Sequence, residues 1–488
     1  MKWFERKNTE NSDKQKNKWN IKYLKNGSYS MMITVIFLVM VVVMNLIIGE
    51  IPSKYTQIDV SKEQLYSMSE ESKSFLQTLD KEVVIYHVVQ DSYEDEIVEN
   101  LLKKYEEESK YIQVEKKDPV VNPKFVSQYT TENLSSNSLI VVCGERVKVV
   151  SYDGMYETSI DYTTYSYNTT GFDGEGQITS AISYVTAENL PKLYIVEGHG
   201  EIELDETIRA DIEKANIQME TINLLAEGSV PEDAECIMIL SPLSDISEEE
   251  KEILLAYLEE GGTAFICSDY TENEMKNFDS LLENYGVKRA EGLVFEGDAQ
   301  YYAMQMPYYL IPDINSTEFT NQVVSEGYYV LAPYAQGIQK LDDIRDTLQI
   351  ESLLTTSDKA YSKVNTANGT MEQEEGDIQG PFDIGVSITE TINDRTTQIV
   401  YFSTVNLLES QVNRMVSGGN EKLIMGVMNQ FCSSEETLSV SVPSKSLEVS
   451  YLTLTTYDSA YWKIIVTILI PGAFLVLGFG VWFKRRKA

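Results

Sequence analysis

The sequence predicts an α/β protein held between two membrane-spanning helices, and three observations lead there. Two long apolar segments, 31–48 and 464–483, carry no charged residue. Between them, short apolar strand-like runs alternate with amphipathic helical stretches. Basic residues gather at the two ends of the chain, while the middle is acidic.

At 1.5 Å rise per residue the two segments make helices of about 27 and 30 Å, close to the hydrocarbon thickness of a bilayer. The first, MMITVIFLVMVVVMNLII, is longer than a signal-peptide core, and no small-x-small cleavage pattern follows it. The second, IIVTILIPGAFLVLGFGVWF, runs straight into a basic stop, Lys484, Arg485, Arg486 and Lys487. Its Pro471 predicts a bend, and Gly472, Gly478 and Gly480 offer surfaces where another membrane helix can pack closely. Residues 1–30 hold eight Lys or Arg against three acids. Basic flanks stay on the cytoplasmic side, so both termini are expected there, at a two-pass cytoplasmic membrane, with the bulk outside.

The whole chain has 40 basic and 76 acidic residues and a net charge of −36. Residues 49–463 alone keep 73 acids against 28 bases. Such a surface lacks the basic footprint that nucleic acid requires, and it does not suit docking on anionic lipid. Four cysteines, Cys143, Cys236, Cys267 and Cys432, show no CxxC spacing. Three of them sit in strand-like runs (LIVVC, CIMIL, AFICS), where cysteine acts as a small buried hydrophobe. Only two histidines occur, His87 and His199, which excludes a multi-histidine metal site. No cofactor is expected.

The outer region divides in order. Residues 49–160 are expected to form a first domain. Ser69 is a candidate N-cap for a helix through Leu79, and Val83–Val89 reads as a strand. DEIVENLLKKYEEES is an acidic amphipathic helix and YIQVEKKDP a short strand. A second helix is expected around Lys124–Thr130, then two paired strands, SLIVVCGE and RVKVVSY. This β-α-β-α-β-β order resembles a thioredoxin-like fold, without the CxxC of a redox role.

Residues 161–440 are expected to form a second domain, opening at GEGQITSAISYVTAENLPKLYIVEGHGE. LYIVEG, METINLL, AECIMILSP and TAFICSD read as strands. LDETIRADIEKAN and SEEEKEILLAYLEEGG read as helices, the latter capped by Ser247 with Glu250 at the capping-box position. Strands alternating with helices imply a parallel sheet covered on both faces. TQIVYFSTVN adds a last strand and SGGNEKLIMGVMNQFC an apolar helix. Residues 290–380 look like an irregular insert containing the acidic run EQEEGD, and 441–463 like a linker.

The chain lacks the GxxxxGK[ST] loop of a transport ATPase and the GxSxG elbow of a hydrolase. GEGQIT is a weak nucleotide signal because the wrong elements surround it. Cys267 ends a strand and His199 follows one, yet Ser268, Asp269 and Tyr270 replace the glycine-flanked turn that a nucleophile needs. Gly198-His199-Gly200-Glu201 reads first as a tight turn at a strand's carboxyl end. Its functional reading is a ligand or partner contact through His199 and Glu201, because open α/β sheets bind ligands at that edge.

Taken in order, the anchor helix, IDVSKEQLYSMSEES, GEGQITSAI before KLYIVEGHGE, SPLSDISEEEKEILLAYLEEGG and NEKLIMGVMNQF resemble the GldG-like family. These are auxiliary membrane components of ABC-type transport systems linked by name to gliding motility. The resemblance covers most of 31–488 and is weakest over 290–380. It implies a glutamine-amidotransferase-like α/β domain without that enzyme class's activity, and it carries over no catalytic residue. The expected function is a non-enzymatic accessory or substrate-handling subunit in a bacterial envelope, beside a permease and a separate ATPase. A structural adaptor or sensor is the alternative, and an envelope enzyme working near His199 a third.

Overall fold

The computed structural model describes residues 32–44, 67–131, 133–161, 166–366, 369–432, 444–447, 465–472 and a few single positions between 442 and 486. The chain forms two compact units, one of residues 1–155 with 174–443, the other of 156–173 with 444–488. The architecture is mixed α/β, as the sequence predicts.

The larger unit opens with helix α1 (Glu70–Thr78), whose N-cap Ser69 accepts from the Ser72 amide. Strand β1 (Val83–Val88) follows. Helix α2 (Glu96–Glu108) starts at Asp95, which accepts from the Ile97 and Val98 amides. Val98, Leu101, Leu102 and Tyr105 recur at helical spacing and are buried. Each such side chain contributes about 1.5–3 kcal/mol on burial. Strands β2 (Ile112–Lys117), β3 (Ser138–Cys143) and β4 (Arg146–Val150) complete a sheet of order β2-β1-β3-β4. Its β1/β2 pair is parallel and the other pairs antiparallel.

One expectation for this region fails. The helix expected around Lys124–Thr130 is only a single 3₁₀ turn at Val126–Gln128. Pro123 precedes it, and Phe125 and Tyr129 instead pack with Tyr86 into an aromatic cluster. The segment GEGQIT, read as the opening of the second domain, begins helix α3 (Gly174–Thr186), which packs on β3 and β4 of the first sheet. Glu175 Oε1 accepts from the Ser69 amide at 2.7 Å, and Thr179 Oγ1 meets Tyr105 Oη at 2.5 Å and Ser72 Oγ at 3.1 Å. Ser180 and Asn216 then bond α3 to the next domain. The GEGQIT motif is thus a packing joint.

The second sheet is built around β5 (Lys192–Val196), β6 (Gln218–Ile222), β7 (Ala234–Leu240) and β8 (Thr263–Cys267). Beyond them lie β9 (Val287–Arg289), β10 (Ile338–Lys340), β11 (Leu348–Thr355), β12 (Asp383–Ile392) and β13 (Arg395–Phe402). The order is β9-β10-β12-β13-β8-β7-β5-β6, with β11 paired to β12. The block β6-β5-β7-β8-β13 is wholly parallel. Its order, 2-1-3-4-5, is that of a doubly wound sheet whose direction reverses between β5 and β7.

Alternation along the strands sends residues to opposite faces. Leu193, Met238, Phe265 and Phe402 join α4 (Glu206–Lys214) and a late helix, Gly419–Cys432, in one core. Tyr194, Ile237, Ile266 and Tyr401 join α5 (Glu248–Glu259) and α6 (Lys276–Asn284) in the other. Between α6 and β12 the expected irregular insert consists of strands, turns and one short helix, Asn321–Glu326. There the fully buried Lys363 donates to Glu372 O and Glu374 Oε2, drawing the acidic run inward.

In the smaller unit, Tyr156–Asp161, Ser166–Phe172 and Lys445–Ser446 form a three-stranded sheet. Among the described residues no helix is long and apolar enough to cross a membrane. Residues 32–44 are helical and exposed, and Ile465–Leu469 is a π-helical turn. The rest of both expected membrane segments, with Gly480 and most of the 441–463 linker, lies outside the described residues.

Candidate functional site

The site begins where β5 ends. Gly198 and Gly200 take φ of +136° and +78°, so the chain can turn back sharply around His199. Glu201 folds under this turn. Its Oε2 accepts from the amides of Gly198 (3.0 Å) and His199 (2.8 Å), and its Oε1 lies 3.3 Å from His199 Nδ1. The other ring nitrogen, Nε2, lies 3.1 Å from Glu250 Oε2. Glu250 also accepts from the Ser247 amide and hydroxyl, completing the capping box of α5. The side chains of Glu201 and Glu250 are only 5% and 1% exposed, and that of His199 12%, so carboxylates grip the imidazole on both sides away from bulk water.

The same turn closes the sheet's reversal point. The His199 carbonyl accepts from the Leu243 and Ser244 amides, and the Ile202 amide donates to Leu240 O. The loops after β5 and β7 are therefore laced together across the crevice where doubly wound sheets receive ligands. Both imidazole nitrogens are engaged, which leaves none to take a proton from a nucleophile.

Cys267 sits at the end of β8 and is fully buried. Burial pushes its thiol well above the ordinary cysteine range, opposite to what a reactive thiolate needs. His199 turns to Glu201 and Glu250 and not to Cys267. Ser268, next in the chain, shares a 2.7 Å hydrogen bond with Tyr401 Oη inside the core. Among the described residues no group of three or more His, Cys, Asp or Glu could hold a metal.

The structure adds residues that the sequence reading did not assign to a site. Glu250 was legible as a cap but not as the second ligand of His199, because 50 residues of chain separate the two. Asp269 lies two residues past the end of β8 and is partly buried. Burial lifts its carboxyl to about 6, against the Tyr270 amide and Asn406, which favour the charged form, while Glu409 adds to the rise. Asn406 Nδ2 lies 3.3 and 3.5 Å from its two oxygens. A carboxylate at the carboxyl end of an apolar strand was the available signal. Of the residues expected to pack a membrane helix, Gly472 and Gly478 have open space where a Cβ would stand, and Pro471 is exposed.

Comparisons with known proteins agree with the resemblance read from the motifs. Residues 190–422 match the model of a family described as an ABC-type uncharacterized transport system, auxiliary component. Residues 62–156 match a domain of unknown function, DUF7088. Nothing among curated proteins matches the chain. Among solved structures, the mmIFT52 N-terminal domain is similar at 13% identity and a TM-score of 0.38, covering 50% of this chain and 98% of its own. A ThuA-like protein from Bacteroides uniformis is similar at 12% identity and a TM-score of 0.31, covering 51% and 95%. PurLQS from Thermotoga maritima is similar at 14% identity and a TM-score of 0.28, covering 50% and 99%.

Proposed function

We propose, from the premise that residues 190–422 are an ABC-type transport auxiliary domain, that this chain is a non-enzymatic accessory subunit of such a transporter. That family match carries the reading. The geometry supports it in two ways. The sheet's reversal point is laced shut, and the histidine beside it is held by two carboxylates in place of a nucleophile. The domain therefore suits a rigid handling or docking module, with a thioredoxin-like first domain and a glutamine-amidotransferase-like second one.

In this reading segments 31–48 and 464–483 cross the cytoplasmic membrane, both termini are cytoplasmic, and the acidic domains stand outside. A permease packs beside the helices and a separate ATPase supplies the energy. The test is purification of the intact chain from its native membrane. A permease and an ATPase should copurify, and Gly478→Leu should weaken that association without lowering expression. Recovery of the chain without either partner would refute the transport role. An isolated activity that fell about 10²-fold in His199→Ala without unfolding would restore the enzyme reading.

A further inference from the structure

The second feature of the carboxyl edge lies at the ends of β8 and β13. Asp269 is set there among core elements, and among the described residues no lysine, arginine or histidine pairs with it. Its oxygens meet only the Tyr270 amide at 3.1 Å and the Asn406 amide group. A carboxylate taken out of water without a cation costs free energy, and such groups concentrate at functional sites.

The next residue, Tyr270, belongs to an aromatic wall. Tyr270 packs with Tyr308 against Leu293, Phe295 and Tyr361. Phe295 stacks on Tyr361, and Tyr308 stacks on Tyr334 with ring centroids 5.0 Å apart. Tyr309 meets Tyr334 edge-on at 5.7 Å. A second route leads back to the carboxylate. Asn406 also bonds Thr404, whose hydroxyl donates to Pro333 O, and Pro333 precedes Tyr334. The carboxylate and the wall thus belong to one closed circuit of contacts. Tyr334 is 40% exposed and holds φ +54°, a backbone conformation that bulky side chains rarely adopt. Strain of that kind persists where the surroundings impose it, often at ligand sites.

We propose that Asp269 and this tyrosine wall form a binding site for an organic cation, an alkylammonium or guanidinium group. A cation would supply the charge partner that Asp269 lacks and would rest against electron-rich ring faces. The excess of 76 acids over 40 bases would draw cations toward it. This site stands apart from the transport reading, and either can fail alone.

The experiment is titration calorimetry of the full-length protein with N-acetyl-arginine amide and with its neutral isostere, N-acetyl-citrulline amide. The arginine probe should bind at least about tenfold more tightly. Asp269→Asn should abolish that preference. Tyr334→Asn, which suits the left-handed backbone and removes the ring, should weaken arginine binding about three- to tenfold. Protonation of Asp269 should shrink the preference as pH falls from 7 to 5, whereas a fully solvated carboxylate would keep it to about pH 4. The neighbours that share this field are Glu409 and the thiol of Cys267, and the latter stays neutral throughout. Agmatine and a Gly-Arg-Gly peptide distinguish the source. Equal affinity points to a free amine and tighter peptide binding to a partner's side chain, and both support the site. Equal binding of the arginine and citrulline probes, no saturation by either, or a preference that survives in Asp269→Asn would overturn it. Melting curves of each variant separate lost binding from lost folding.

Discussion

Two loops on the carboxyl edge of one sheet treat a buried ionisable side chain in opposite ways. After β5, His199 has a carboxylate at each ring nitrogen, and those carboxylates have amide and hydroxyl donors of their own. After β8, Asp269 has amide donors and no counter-charge. The difference teaches where this fold is finished and where it is left open. A satisfied polar network fixes the geometry of the first loop, while the second carries an electrostatic cost that something else must offset.

The largest expected effect breaks the first loop. Glu250→Ala removes the capping box of α5 and leaves His199 Nε2 without an acceptor. Loss of a cap costs about 1 kcal/mol, and an unpaired buried polar group about 1–3 more. Unfolding by denaturant should therefore show a loss of about 3 kcal/mol. Asp269→Asn, the direct comparison, should lose nothing at pH 7, since it deletes an uncompensated charge. Equal losses in the two variants would erase the distinction between the loops.

The second effect is the pH dependence of Asp269. Its folded value of about 6 lies above the unfolded carboxylate value. Between roughly pH 4 and 6 the native state therefore binds more protons than the unfolded one. Stability from this group is present below about pH 4 and is lost as pH rises through 6. The loss approaches about 3 kcal/mol, at 1.36 kcal/mol per unit. The difference in unfolding free energy between the parent and Asp269→Asn, measured at pH 4, 5, 6 and 7, should trace that fall. A flat difference would mean that Asp269 is solvated and the second loop is no more open than the first.

Much of this arrangement was legible in the sequence. The capping box Ser247 to Glu250 is a local pattern, and it forms as read. The apolar runs of β5, β7, β8 and β13 announce strands covered on both faces, because adjacent residues such as Ile237 and Met238 enter opposite cores. Tertiary choices were not legible. Nothing local in GEGQIT shows that Glu175 and Thr179 dock α3 on the first sheet. The run Lys124–Thr130 reads as a helix, yet its Phe, Val, Ser, Tyr and Thr are weak helix formers, and Phe125 and Tyr129 pack on Tyr86 instead. The site escaped for a similar reason: His199 and Glu250 meet through the crossing of two βα units, and nothing local marks Asp269 as lacking a cation.

A third effect concerns His87, the other histidine, and it sharpens the contrast from the first sheet. His87 is fully buried on β1. Its Nε2 lies 3.1 Å from Asn137 Oδ1, and Nδ1 has no hydrogen-bond partner among the described residues. Burial lowers its pKa from the usual 6.5, outweighing the bond to Asn137 that favours the proton. Here the native state binds fewer protons than the unfolded one just below pH 6.5. Stability from neutral His87 is present above that pH and is lost as pH falls toward the lowered value. His87→Met should flatten this acid limb, read from unfolding at pH 5 against pH 7. An acid limb that survives unchanged in His87→Met would show that burial does not hold His87 neutral.

The smallest effect lies at Cys267, on the strand that leads to the open loop. If that end of the sheet held a nucleophile, this thiol would be exposed and easily ionised. Instead it is fully buried, its neighbour Ser268 is tied to Tyr401, and desolvation holds it protonated. In this environment it behaves as a small apolar filler. Cys267→Ala should therefore cost about 1 kcal/mol of stability, the scale of one small group lost from a core, and should leave partner association unchanged. Alkylation gives the independent reading. Cys143 is partly exposed, whereas Cys236, Cys267 and Cys432 are buried. Iodoacetamide at neutral pH should modify Cys143 first in the folded protein and reach the other three only on unfolding, as followed by mass spectrometry of the peptides. Modification of Cys267 at the rate of Cys143 would show that the end of β8 opens to solvent deeper than Asp269. The cation site would then be one wall of a reactive cleft, and the enzyme reading would regain its nucleophile.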